Sequence, residues 1–171
     1  DGSIIIRYMP DDLVVCNLAS VNIAKVYDAK TIEDVFPILL RVLDNVITLN
    51  YYPIKEAERT ALRYRSIGIG YLGLAEYLAV RRISYDTPAA REEVDRLFAE
   101  YAYHTYRASV DLARERGHYE LFPGSEYSQG IILGHTEEWF QENTARGTDW
   151  QTLFADMKAY GTRFGYHTAP A

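Results

Sequence analysis

Apolar positions along the chain change their period several times, and each change predicts an element. Ile4-Ile5-Ile6 and Leu13-Val14-Val15 are short runs rich in branched apolar side chains, separated by the turn signal Met9-Pro10-Asp11-Asp12, and both read as strands. From Thr31 the period is helical: Ile32, Val35, Phe36, Leu39, Val42, Leu43, Val46 and Ile47 fall on one face, with Thr31 or Asp34 as the cap. Pro37 has no amide hydrogen, so this helix either starts late enough to hold it in the first turn or bends there. Tyr52-Pro53 marks the exit.

Residues 65–70 then read as a short strand, and residues 72–80 as a helix with Leu74, Tyr77 and Leu78 inward. Thr87-Pro88 is a strong helix start, a capping hydroxyl followed by proline. The helix it opens carries Val94, Leu97, Phe98, Tyr101, Ala108 and Leu112 inward and stops near Gly117. At about 1.5 Å per residue it spans roughly 45 Å. Gly124, Gly130 and Gly134 punctuate a loop around the apolar run Ile131-Ile132-Leu133. Thr148-Asp149 caps a last helix with Trp150, Leu153, Phe154, Met157 and Tyr160, closed by Gly161. Residues 162–168 are a final strand candidate, followed by Ala169-Pro170-Ala171. Strands separated by helices predict an α/β fold with parallel pairing and helices outside. The 171 residues read as a single segment.

Charge removes some functions. Eighteen Lys+Arg against 24 Asp+Glu give a formal net charge of -6, which repels phosphate polyanions, so no nucleic-acid partner is expected. No apolar run reaches the roughly 18 residues that cross a bilayer, and no membrane association is expected. The start, Asp1-Gly2-Ser3, lacks the basic region of a signal peptide. Cys16 is the single cysteine, so no internal disulfide framework exists and a cytoplasmic location is the expectation. Most of the 15 tyrosines fall at helical spacing and read as core edges.

Several constellations compete for chemistry. Gly68-x-Gly70-x-x-Gly73 follows a possible strand and opens a helix, as a dinucleotide-binding turn does, with Asp86 near the place of a ribose-binding acid. Its preceding strand is short and polar, however, and close packing of a helix on a sheet explains the glycines more simply. His104, His118, His135 and His167 lack the spacing of paired ligands on one helix face, so no metal is expected. The pairs Asp11-Asp12, Glu92-Glu93 and Glu137-Glu138 point apart or face solvent. Ser20, Ser66, Ser84, Ser109, Ser125 and Ser128 lack the nucleophile-elbow pattern. Cys16 remains; taken alone, it reads first as a small apolar residue of a strand.

Its surroundings change that weighting. Val15-Cys16-Asn17-Leu18-Ala19-Ser20 is followed in order by Asn50-Tyr51-Tyr52-Pro53, then by Arg65-Ser66-Ile67-Gly68-Ile69-Gly70 with Gly73-Leu74-Ala75. Tyr119-Glu120 with Gly124-Ser125 and Gly130-Ile131 comes next, then Asp149-Trp150 with Tyr160-Gly161-x-Arg163. In order and spacing these stretches resemble the large, catalytic subunit of class I ribonucleotide reductases, almost end to end. The resemblance implies a helix-rich segment of a ten-stranded α/β barrel, incomplete on its own, in which the glycine stretch is a barrel strand and its turn.

It also implies a chemistry. In that family a cysteine thiyl radical abstracts the 3'-hydrogen of a ribonucleotide, and two cysteines on neighbouring strands then supply two electrons and become a disulfide. Cys16 matches one of that pair. Its sulfur partner and the radical cysteine, within Asn-Leu-Cys-x-Glu, are expected before residue 1, and the phosphate-binding loop after Ala171. The implied partners are the remainder of the alpha subunit, a small metal-bearing beta subunit that generates the radical, thioredoxin or glutaredoxin as reductant, and the ribonucleotide substrate. Nucleotide effectors are implied for the parent enzyme, and no cofactor for this segment. The chain departs from the family pattern at Phe164, where asparagine commonly follows the arginine, and at Gly165-Tyr166-His167. Three alternatives stay open: a cobalamin-dependent class II reductase segment, a dinucleotide-binding module using Gly68, Gly70 and Gly73, and a noncatalytic scaffold with an inert thiol.

Overall fold

Thr87 and Pro88 open the longest element of the computed structural model, which describes residues 11–143 and 148–168. This helix, Pro88–Arg116, is here named α4 by its place in the chain. Its first turn is closed by the Thr87 hydroxyl, which accepts from the Ala90 amide, and its end by Gly117, whose amide donates to the Ala113 carbonyl. The expected inward residues Leu97, Tyr101, Ala108 and Leu112 are all buried.

Three strands, β1 (Asn17–Asn22), β2 (Ser66–Leu72) and β3 (Tyr166–Thr168), form one parallel sheet in the order β1-β2-β3. Helices α1 (Ala29–Leu49) and α2 (Lys55–Tyr64) connect the first two strands; α3 (Leu74–Val80), α4, α5 (Glu137–Asn143) and α6 (Trp150–Tyr160) lie between the second and third. The α/β organisation with parallel pairing therefore stands as expected. The main core lies between the sheet, α1 and α4, and includes Val21, Ile67, Ile69, Phe36, Leu97 and Tyr101. A second cluster joins the distal half of α4 to α5 and α6 through Tyr106, Phe140, Trp150 and Phe154.

The structure corrects the sequence reading in several places. Leu13-Val14-Val15 is not a strand; Leu13 and Val14 are 44% and 43% exposed, and the ladder starts only at Asn17. A partner in register decides strand formation more than residue preference does, and Asn17–Asn22 is the stretch that pairs with residues 67–72. Helix α1 is capped by Asp28, whose carboxylate accepts from the Thr31 amide, not by Thr31 or Asp34. Pro37 consequently lies inside α1, beyond its first turn. Val42 and Val46 leave the core, at 52% and 42% exposure, while Leu40 and Asp44 enter it. Helices α2 and α5 fall where no element was expected. The Ile4-Ile5-Ile6 run lies outside the described residues.

The last strand is also shorter than expected. Thr162 and Phe164 are fully buried, the Thr162 hydroxyl donating to the Phe164 carbonyl, so the chain is turned here rather than extended. Gly165 then passes against α2: its amide donates to the Tyr64 carbonyl, and a Cβ would sit 2.5 Å from that oxygen. Phe164, at the position of departure from the family pattern, fills the main core.

Candidate functional site

The sheet has two unlike faces because side chains alternate along each strand. Val21, Ile67 and Ile69 point to the helix-covered side. Leu18 and Ser20 point to the other, beside Gly68 and Gly70 of β2, with which they are in register. That second face is open, and Leu18 is 77% exposed on it.

Cys16 immediately precedes β1, in phase with Leu18 and Ser20, and its thiol is exposed and free. Its nearest polar contact is a weak one, Sγ donating to the Asn17 carbonyl at 3.8 Å. Partial desolvation raises the thiol above its ordinary value, so the sulfur keeps its proton at neutral pH. Among the described residues β1 is an edge strand of the sheet. The neighbouring Asn17 side-chain nitrogen is buried without a hydrogen-bond partner among them, a costly arrangement unless another segment supplies the acceptor.

The glycine motif does not form a phosphate-binding turn. Gly68 and Gly70 are paired within β2, and Gly73 alone, at φ 81°, stands at the junction to α3. A Cβ at Gly73 would approach the Asn22 side-chain oxygen to 2.8 Å, so this glycine lets the connection pass close to the end of β1. Asp86 accepts from the Ser84 hydroxyl on the surface. These positions favour a close-packing role over dinucleotide binding, though the close approach is to β1 rather than of a helix onto the sheet.

His104, His118 and His135 each have separate surroundings, and the His167 side chain lies outside the described residues. His104 on α4 faces Glu100 at 3.9 Å, and desolvation lowers its pKa. The His118 ring meets the Tyr119 carbonyl; His135 stacks on Trp139 at 3.8 Å between centroids. Among the described residues no group of three or more His, Cys, Asp or Glu is placed to hold a metal ion. Nor is any of their helices long and apolar enough to cross a membrane.

One buried constellation escaped the sequence reading. Asp44 of α1 is fully buried and receives three arginines. Arg65 donates to it through Nη2 at 2.5 Å, Arg116 through Nη1 at 2.7 Å and Arg163 through Nε at 2.6 Å. Arg65, just before β2, adopts a left-handed backbone at φ 47°; Arg163 leads into β3. Burial pushes the Asp44 carboxyl up, but the hydrogen bonds from Arg163 and Arg116 and the Arg65 charge outweigh it, leaving the pKa below the ordinary value. Burial of Arg65 depresses its own pKa; its two contacts with the carboxylate nonetheless keep the pair ionised at neutral pH. The cluster fixes the entry points of two strands on the helical side of the sheet. Its one sequence signal was an acidic residue inside an apolar helical stripe.

Comparison with known proteins gives a consistent result. Residues 4–171 match the family described as "Ribonucleotide reductase, barrel domain". A ribonucleoside-diphosphate reductase subunit alpha from Synechocystis is 41% identical over 157 residues, covering 91% of this chain and 20% of that protein. The subunit alpha from Helicobacter pylori is 39% identical over 163 residues, with coverages of 92% and 21%. A ribonucleoside-diphosphate reductase large subunit from Plasmodium falciparum is 37% identical over 174 residues, with coverages of 97% and 21%. The chain thus spans about a fifth of the length of these curated relatives.

Proposed function

The chain belongs to the ribonucleotide reductase barrel-domain family, and we propose that it is a segment of the catalytic alpha subunit of a ribonucleoside-diphosphate reductase in which Cys16 is one sulfur of the reducing pair. The observation that carries this reading is the place of Cys16: an exposed thiol at the start of an edge strand, in phase with the open face of the sheet. Neighbouring strands lie about 4.8 Å apart, within the roughly 4.4–6.8 Å Cα separation a disulfide requires. A cysteine on a strand docked along β1 therefore meets the geometric condition that nothing inside this chain meets.

The chemistry follows from the thiol. Replacing the 2'-hydroxyl of a ribonucleotide by hydrogen takes two electrons and two protons, and releases water. Two protonated thiols supply both and are left as one S–S bond. A thiol held above its ordinary pKa is in the protonated form this step consumes. Return to the dithiol requires exchange with an external dithiol, which the open face leaves room for. On this reading thioredoxin or glutaredoxin fills that role in the cytoplasm, a small metal-bearing beta subunit generates the radical, and nucleotide effectors act on other parts of the alpha subunit. The three parallel strands form part of a ten-stranded barrel, and the segment alone is inactive.

The relatives' names, subunit alpha and large subunit, favour this two-subunit enzyme over a cobalamin-dependent class II reductase. The test is Cys16→Ser in the intact parent subunit. Radical formation is expected to persist, while repeated deoxyribonucleotide production is abolished. Normal multiple turnover by the variant overturns the assignment.

A further inference from the structure

Apolar side chains of the same volume often stabilise a core as well as a buried ion cluster does, and the best-attested use of such a cluster is to fix a position. At Asp44 the position fixed is that of Arg65, whose planar guanidinium has donors of set geometry. It donates through Nε and Nη2 to the Asp44 carboxylate at 3.0 and 2.5 Å. Nη2 also donates to the Asp44 carbonyl at 2.9 Å and to the Thr48 hydroxyl at 3.0 Å. Arg65 is at the same time the left-handed cap that ends α2, at φ 47°. A residue with a Cβ keeps that backbone only where its surroundings dictate it.

Two supports of Cys16 lead back to this residue. On one side, the register that pairs Asn17 with Ile67 sets Cys16 beside Ser66, the residue that follows Arg65. On the other, the approach to Cys16 is strapped to α2. The Leu13 amide donates to the Thr60 hydroxyl at 3.2 Å, the Tyr64 hydroxyl to the Asp12 carboxylate at 2.7 Å, and Arg59 to the Asp11 carbonyl at 2.8 Å. Helix α2 thus carries the residues that lead to Cys16, and its final cap opens the strand beside it. The sulfur does little to place itself, its 3.8 Å contact with the Asn17 carbonyl being weak.

We infer that Asp44 is a positioning residue for the redox step: by locking Arg65 it holds the end of α2 and the start of β2, and through them keeps the Cys16 sulfur where its partner cysteine can bond to it. The inference rests on the reading of Cys16 as one sulfur of the reducing pair. A disulfide needs its sulfurs about 2.0 Å apart and tolerates only a narrow range of Cα separation, so a loosened strand entry weakens the bond directly.

The experiment equilibrates the complete alpha subunit with dithiothreitol at ratios from fully reduced to fully oxidised, and reads the fraction of Cys16 in a disulfide by alkylation and peptide mapping. Two protein thiols become one S–S bond while the cyclic disulfide of the reagent is reduced to its dithiol, so atoms and electrons balance. In Asp44→Asn the ratio at half-oxidation is expected to move about tenfold toward the oxidised reagent, which for a two-electron couple is about 30 mV. Thr87→Ala, which removes a cap at the opposite end of α4 from Arg116, should leave that ratio where it is in the unmodified subunit. Should Asp44→Asn fold poorly, Arg65→Lys carries the same test, since it keeps the charge and loses the forked contacts with Asp44 and Thr48. An unchanged ratio in the Asp44 or Arg65 variant overturns the positioning role alone, and so does an equal shift in Thr87→Ala, which reduces the effect to general stability. A parent subunit in which Cys16 pairs at no ratio overturns the reading of Cys16 first, and the inference with it.

Discussion

Asp44 concentrates the electrostatics of this chain in one side chain. It is fully buried between Arg65, Arg116 and Arg163, and Arg65 itself is only 5% exposed. Asp44→Asn leaves a buried guanidinium without its counter-ion, and the expected loss of stability is about 3–5 kcal/mol, read from denaturant unfolding. The pH dependence has a definite sign. The folded pKa lies below the ordinary aspartate value of 3.8, so the unfolded chain binds the proton first as pH falls. The stabilisation is complete above that value and is lost on acidification below it. The variant should lack this acid-sensitive component, and an equal acid dependence in both proteins would contradict the role given to Asp44. None of this was legible in the sequence, where a single acid within an apolar stripe carries no mark of three arginines distant along the chain. Cys16 was the opposite case: its importance could be read from the residues around it, but its exposure and its place beside an open edge could not.

Among the elements, those with chemical punctuation were legible and those without it were not. Helix α4 announced itself through Thr87, Pro88 and Gly117, and α6 through Asp149 and Gly161. Helix α2 buries only Ala57, Thr60 and Ala61, side chains too small and mixed to show a period. Helix α5 has seven residues and buries Phe140 alone. In α1 the period was right and the face in part: Ile32, Phe36, Leu43 and Ile47 are buried as expected. Its apolar arc is wider than the core it meets, so Val42 and Val46 stay outside while Asp44 turns inward to its arginines. Strand β1 moved from Leu13-Val14-Val15 to Asn17–Asn22 because a partner in register, not hydrophobicity, sets a ladder. The capping argument for α4 is testable by Thr87→Ala. Removing the hydroxyl that accepts from the Ala90 amide should cost about 1 kcal/mol in thermal unfolding. A cost indistinguishable from zero would show that the cap contributes nothing.

On the scale of the whole molecule, a parallel sheet covered by helices on one side presents its other face bare. The alternation of β1 and β2 puts Val21, Ile67 and Ile69 into the core and Leu18, Ser20 and Gly70 into the open. Cys16 stands where that open face meets the free edge of β1, and the arrangement makes sense if the remaining polypeptide of a protein about five times longer completes it. The most direct measurement is to map disulfides in the intact, pre-reduced reductase after substrate is added without an external reductant. The account predicts that Cys16 is recovered in a disulfide with a second cysteine of the alpha subunit, in proportion to the deoxyribonucleotide formed. Product formation with Cys16 still fully alkylatable would contradict it.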